Sequence, residues 1–200
     1  MATRLTRQGQ TVFISKLVED VNKEENIEEV KSKNNNLASL KISNINIDFK
    51  KDKVYFENTE GTEYLKAVLD AYADRACVGF CWDSGHEMCY NFSENLLAQY
   101  GHKLIATHIN DNLGIKSFEG EIFWHDDLHL LPYDGMADWK ELAHRLNKCG
   151  YNDILTFELN NKSKPNRHEN DKYDRMPIEE YIAECYIRAC RFANDIKNDK

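Results

Sequence analysis

The 200-residue chain has only three prolines, and nowhere does it approach the ~20 consecutive apolar residues that a membrane-spanning helix needs. No membrane role is expected. Basic residues are in deficit, 26 Lys and Arg against 34 Asp and Glu, for a formal net charge of -8. A phosphate backbone would be repelled unless those cations gathered on one face, so nucleic acid is disfavoured as a partner. The six cysteines include no CxxC pair and show no dense even spacing, and no signal-like apolar segment precedes them. They read as reduced thiols in a cytoplasmic protein. Histidine is missing altogether before His86.

What is present suits one folded domain: 42% apolar residues, 30% charged, and a length that a single core can fill. From residue 53 a short β-rich run, a polar loop and an amphipathic helix recur, the signature of β/α units. KVYFE (53–57) reads as a strand, followed by the helix TEYLKAVLDAYADR with Leu65, Val68, Leu69 and Tyr72 at helical spacing. CVGFCWD (77–83) is the second strand, and SENLLAQYG a helix capped by Ser93 and closed by Gly101. KLIATHI (103–109) is the third, followed by a long connection and a helix that Asp138 starts and Gly150 stops. DILTFEL (153–159) is the fourth. The last helix is expected to bury Ile178, Ile182, Cys185, Ala189, Phe192 and Ile196 on one stripe. Alternation of this kind predicts an α/β fold with a parallel sheet and helices outside. Residues 1–52 are less regular: TVFISKLV reads as a strand, LASLKISNINIDF as helix or strand, and the intervening VNKEENIEEVKSKNNN is polar and charged.

A carboxylate or imidazole closes each of the four strands: Glu57, Asp83, His108 and Glu158. In parallel α/β folds these carboxyl ends converge on one open face. Any one of the acids alone would be read as a helix cap or a solvated loop residue. Three crowded carboxylates with an imidazole among them instead call for a cation, since they would otherwise repel one another and lose solvation. Oxygen donors with one histidine suit Mn2+, Mg2+, Co2+ or Zn2+.

His86 follows Asp83 in a glycine-containing turn that can aim both side chains into one cavity. In WHDDLHLLPYDG, Asp127 and His129 stand two apart on an extended segment and would point to the same side. With His86 they could bind a second metal, or they could belong to a polar loop turn, and the residues alone leave both readings open. Phe118, Phe123 and Trp124 could wall a cavity or pack the loop down. Lys162, Lys164 and Arg167 could meet a phosphate or form a solvated face. Cys81 and Cys89 have no partner at zinc-site spacing and read as packing residues.

In this order, FENTEG, GFCWDSGH, THINDN, DDLHLLPYDG with DWKEL, and LTFEL resemble the second half of the xylose isomerase-like TIM barrel superfamily, over about residues 53–196. That superfamily includes sugar isomerases and epimerases and the endonuclease IV type of apurinic-site nuclease. The resemblance implies a TIM (β/α)8-type barrel with its last four β/α units clear and an incomplete, shortened N-terminal half. Residues 1–52 are then a divergent or truncated segment and 53–200 the C-terminal part of the barrel. Eight units need ~250 residues, so association into a homo-oligomer is one expected way to complete it.

By the same resemblance Glu57, Asp83, His108 and Glu158 correspond to shared metal ligands. Glu57 and Glu158 also act as acid and base in the epimerase-like members, where His86 contacts substrate. In the nuclease, the counterparts of His86, Asp127 and His129 hold a further zinc. The nuclease also takes two histidines from earlier strands, which this chain lacks, so its three-zinc arrangement cannot be assembled here. The expected function is a divalent-metal-dependent isomerase or epimerase acting on a small sugar or sugar phosphate. The alternatives are an endonuclease IV-like phosphodiesterase and an inactive barrel fragment or interaction module.

Overall fold

The computed structural model describes residues 4–7, 10–13, 40–42, 45–47, 54–58, 62–91, 94–114 and 126–199. Strand β1 (Arg4–Arg7) pairs antiparallel with β2 (Gln10–Phe13), and β3 (Leu40–Ile42) with β4 (Ile45–Ile47). The strand expected at TVFISKLV and the segment LASLKISNINIDF, expected as helix or strand, thus fall partly on these ladders. The polar stretch between them, and with it Ser93, Phe118, Phe123 and Trp124, lies outside the described residues.

Among the described residues, β5 (Val54–Glu57), β6 (Val78–Asp83) and β7 (Leu104–His108) form a parallel sheet in that order. All six residues of β6 are buried, as befits a central strand covered on both faces. Side chains alternate along it. Phe80 and Trp82 enter the main apolar core with Leu96, Trp139, Leu146 and Phe192, whereas Cys81 and Asp83 share the opposite face. Parallel register extends that parity to the neighbours: Glu57 lies beside Cys81, and His108 beside Asp83. A register shift after Phe80 leaves one extra residue on β7, so His108 and not Thr107 stands level with Asp83.

Among the described residues the α-helices are α1 (Thr62–Ala71), α2 (Ser84–Tyr90), α3 (Leu96–Tyr100), α4 (Trp139–Lys148), α5 (Asp171–Asp174) and α6 (Ile178–Asn198). Asp138 caps α4 by accepting from the backbone N–H groups of Lys140 and Glu141, as expected. Gly150, at φ 75°, ends it: its N–H bonds Asn147 O and that of Tyr151 bonds Leu146 O, the paired closure a left-handed residue permits. Trp139 meets Phe192 edge to face, with ring centroids 4.8 Å apart, and so joins α4 to α6.

Four expectations need correction. The turn holding His86 is helix α2, which starts directly after β6 because Asp83 caps it, its Oδ1 accepting from His86 N. Helix α3 is capped by Asn95, whose side chain accepts from Ala98 N, and is shorter than the sequence suggests. The fourth strand is reduced to one parallel bridge, Ile109 to Phe157, held by Ile109 N to Thr156 O and Glu158 N to Ile109 O. Before it, Ile154 is 77% exposed and Thr156 N turns to the Thr107 hydroxyl, so no longer ladder forms. Finally, Ile178 and Ile182 are exposed. Arg188 reaches Asp134 and the Pro132 carbonyl while Tyr181 packs on Tyr173, and these anchors rotate the first turns of α6 away from the expected stripe.

Candidate metal centre

Glu57, Asp83, His108 and Glu158 each offer one donor atom within a sphere in which all such atoms lie 4.8 Å or less apart. His108 Nδ1 stands 2.9 Å from Glu57 Oε1 and 2.9 Å from Glu158 Oε2. Glu57 comes from the end of β5, Asp83 from β6 and His108 from β7. Glu158 follows the residue that bridges to Ile109, which returns it to the same face of the sheet. Glu57 is the more enclosed glutamate, its side chain 4% exposed against 26% for Glu158.

Asp83 is fully buried and its two oxygens have different surroundings. Oδ1 accepts from His86 N at 2.8 Å and from Asn110 Nδ2 at 3.0 Å. Oδ2 accepts no hydrogen bond, with His86 Nδ1 3.8 Å away. An orphaned, buried carboxylate oxygen facing two further carboxylates and an imidazole fits a hard divalent cation, and this donor chemistry suits the ions expected from the sequence.

A second group lies beside the first. His86 Nε2 is 3.1 Å and His129 Nε2 3.0 Å from the same oxygen, Asp127 Oδ2. Backbone carbonyls set both rings: His86 Nδ1–H donates to Asn58 O and His129 Nδ1–H to Glu158 O, since a carbonyl can only accept. Each histidine therefore turns Nε2 toward Asp127, an outer-shell arrangement typical of metal-ligating imidazoles. Asp127 and His129 do meet, but not on a regular extended segment. His129 sits at φ 50°, a left-handed conformation uncommon outside glycine, and this is how its ring returns to Asp127. His86 joins the two groups, with Nδ1 also 3.5 Å from Glu57 Oε1.

The electrostatics follow from crowding. Burial pushes the Asp83 carboxyl up to about 6, although His86 pulls it back. Burial alone would lower His86, yet the charges of Asp83 and Asp127 raise it to about 10. His108 and His129 are likewise raised against the effect of burial, His108 by its bonds to Cys81, Glu158 and Glu57, His129 by Asp127. Asp127 goes the other way: burial would raise it, but bonds from His129 and His86 hold it well below the usual carboxylate range. The carboxylates thus impose positive charge on their surroundings. Burial pushes the Cys81 thiol up to about 12, which keeps it neutral and leaves it a packing residue.

Several residues that build the site were not singled out from the sequence. Asn58 braces the Asp83 backbone in both directions, accepting from Asp83 N at 2.7 Å and donating to Asp83 O at 2.9 Å. Asn112 Nδ2 reaches Asp127 Oδ1 at 3.4 Å. Asp111 accepts from Asn112 N, Ala137 N, Gly135 N and the Trp139 indole, tying the loop before α4 to the end of the third strand. Of the basic trio, Arg167 is taken up by Asp126 and Glu169, and Lys162 is exposed near Asp174.

The chain matches the model of the xylose isomerase-like TIM barrel over residues 9–180. It belongs to that family. The three-stranded parallel sheet, open among the described residues, is a sector of such a barrel with its carboxyl ends at the candidate metal centre. A relative of this family member is the uncharacterized protein y4fM of Sinorhizobium fredii (strain NBRC 101917 / NGR234), 37% identical over 102 residues. That match covers 50% of this chain and 30% of the relative, so the chain spans about a third of the relative's length. A solved xylose isomerase-like TIM barrel/4-hydroxyphenylpyruvate dioxygenase fusion protein superposes with a TM-score of 0.43 at 15% identity, covering 60% of this chain and 20% of that one. Among the described residues no helix is long and apolar enough to cross a membrane.

Proposed function

We propose that this family member is a divalent-metal-dependent isomerase or epimerase acting on a small sugar or sugar phosphate. In this reading residues 53–200 carry the metal centre and residues 1–52 are a divergent segment. The observation that carries it is the convergence of Glu57, Asp83, His108 and Glu158 donor atoms within 4.8 Å of one another. A divalent cation held by these four would polarise the substrate carbonyl and ease loss of the neighbouring carbon-bound proton.

Both glutamates come within 2.9 Å of the same atom, His108 Nδ1, which gathers the two carboxylates at one point where a bound carbon chain can meet them. One removes the proton and the other returns it through an enediolate of the sugar. Glu158, the more open of the pair, exchanges its proton with solvent more readily. His86, its ring held between the Asn58 carbonyl and Asp127 Oδ2, contacts a substrate hydroxyl that shares the Asp127 side of its ring. The test is incubation with Mn2+ and a panel of ketoses and aldoses in heavy water, followed by mass analysis of the sugar. Deuterium should enter the carbon next to the carbonyl, and Glu57→Gln and Glu158→Gln should each slow its entry by at least about 100-fold. Undiminished exchange in both variants would reject the acid and base roles.

One observation favours a second reading, metal-assisted phosphodiester hydrolysis at abasic sites in DNA. His86, Asp127 and His129 form a complete second donor set. The net charge of -8 and the absence of any histidine before His86 weigh against it. Chelator-sensitive nicking of an abasic duplex, lost in His129→Ala, would replace the first reading with this one.

A further inference from the structure

Asn110 follows β7 by two residues and its side chain is fully buried against the candidate metal centre without belonging to either donor set. Its Nδ2 donates to Asp83 Oδ1, the oxygen that already accepts from His86 N. Its backbone is latched to the first residue of α2: Ser84 Oγ donates to Asn110 O at 2.6 Å and Asn110 N donates back to Ser84 Oγ at 2.9 Å. This latch holds the backbone only, and the side-chain amide is set by its own bond to Asp83 Oδ1. Room for it exists only because residue 85 is glycine, since a Cβ there would stand 1.8 Å from Asn110 Oδ1.

We propose that Asn110 is a positioning residue of the metal centre, holding Asp83 so that Oδ2 alone is presented to the cation. Two donors on Oδ1 occupy that oxygen and fix the plane of the carboxylate, while Asn58 fixes the backbone beneath it. The result is a one-oxygen ligand aimed before the ion arrives, which lowers the cost of ordering the site. The residue type matters. An aspartate at 110 would keep the shape but set a further carboxylate against Oδ1, whereas the amide supplies a donor and adds no charge. The proposal rests on the metal reading above.

The test is Mn2+ affinity of the full chain, measured from the electron paramagnetic resonance of free Mn2+, with the visible absorption of bound Co2+ as a second readout. Asn110→Ala should weaken Mn2+ binding by about 10–100-fold, the usual cost of losing an outer-shell partner. It should also change the Co2+ spectrum, because Oδ1, now less restrained, can swing into the coordination sphere. Gly85→Ala should do the same with the asparagine intact, by displacing its amide. Ser84→Ala removes the backbone latch but not the donor, so it should lower thermal stability while keeping wild-type Mn2+ affinity and the wild-type Co2+ spectrum. Equal affinity loss in Ser84→Ala and Asn110→Ala, or unchanged affinity in both Asn110→Ala and Gly85→Ala, overturns the role. A wild-type protein that binds neither ion overturns the metal reading itself, and this inference with it.

Discussion

Asp83 divides its two oxygens between two tasks, and that division explains why an acid ends an otherwise apolar strand. Oδ1 caps α2 and receives Asn110, while Oδ2 is buried with no hydrogen bond. A cap alone would not require the second oxygen to be dry. The charges around it give a pH prediction. His108, the imidazole of the donor set, is raised, and its neighbour His86 is raised to about 10, so near neutral pH a cation must displace the His108 proton beside a second positive ring. Mn2+ affinity should therefore rise with pH between about 6 and 8, with protons released on binding, as calorimetry in buffers of different ionisation enthalpy would detect. Proton-neutral, pH-independent binding would contradict this picture. The ligand candidates were legible because acids and histidines are conspicuous at strand ends. Asn58 and Asn110 were not, since asparagine after a strand is the ordinary chemistry of a turn and only the fold reveals what it touches.

Among the elements, the junction of the loop before α4 with α5 and α6 offers the cleanest stability test. Asp134 meets Arg188 at 2.8 Å and Lys172 at 3.1 Å, and it accepts from the Tyr173 hydroxyl. Burial would raise its carboxyl, but hydrogen bonds from Tyr173, Arg188 and Lys172 outweigh burial and lower it. A depressed carboxylate adds stability that is fully present above its unfolded value, about 3.9, and is lost as pH falls through the folded value. Asp134→Asn should thus be less stable than wild type in urea at pH 7, and the gap should narrow as the pH drops below about 4. A gap that stays constant with pH would mean that the charge contributes nothing. The same junction accounts for a misread helix. The apolar spacing of α6 is correct, but periodicity fixes a stripe and not its orientation, which Arg188 and Tyr181 decide through partners distant in sequence. Helix α2 escaped notice for a related reason: seven residues rich in polar groups carry too little periodicity, and the helix depends on the Asp83 cap.

At the scale of the molecule, the order of strands and helices after residue 53 was readable because each β/α unit announces itself by a change of period. The fourth strand was over-read, since DILTFEL has strand composition, yet in the structure a single bridge satisfies it. Family membership rests on a match over residues 9–180, longer than the stretch in which the sequence alone gave clear units. The central claim remains local: side chains from three strand ends and one bridge form a single divalent-cation centre. Crystals soaked in Mn2+ and measured near the manganese absorption edge test it directly. The account predicts an anomalous peak about 2.0–2.6 Å from donor atoms of Glu57, Asp83, His108 and Glu158 together. A peak elsewhere with these four left unliganded, or no peak at saturating Mn2+, would contradict it.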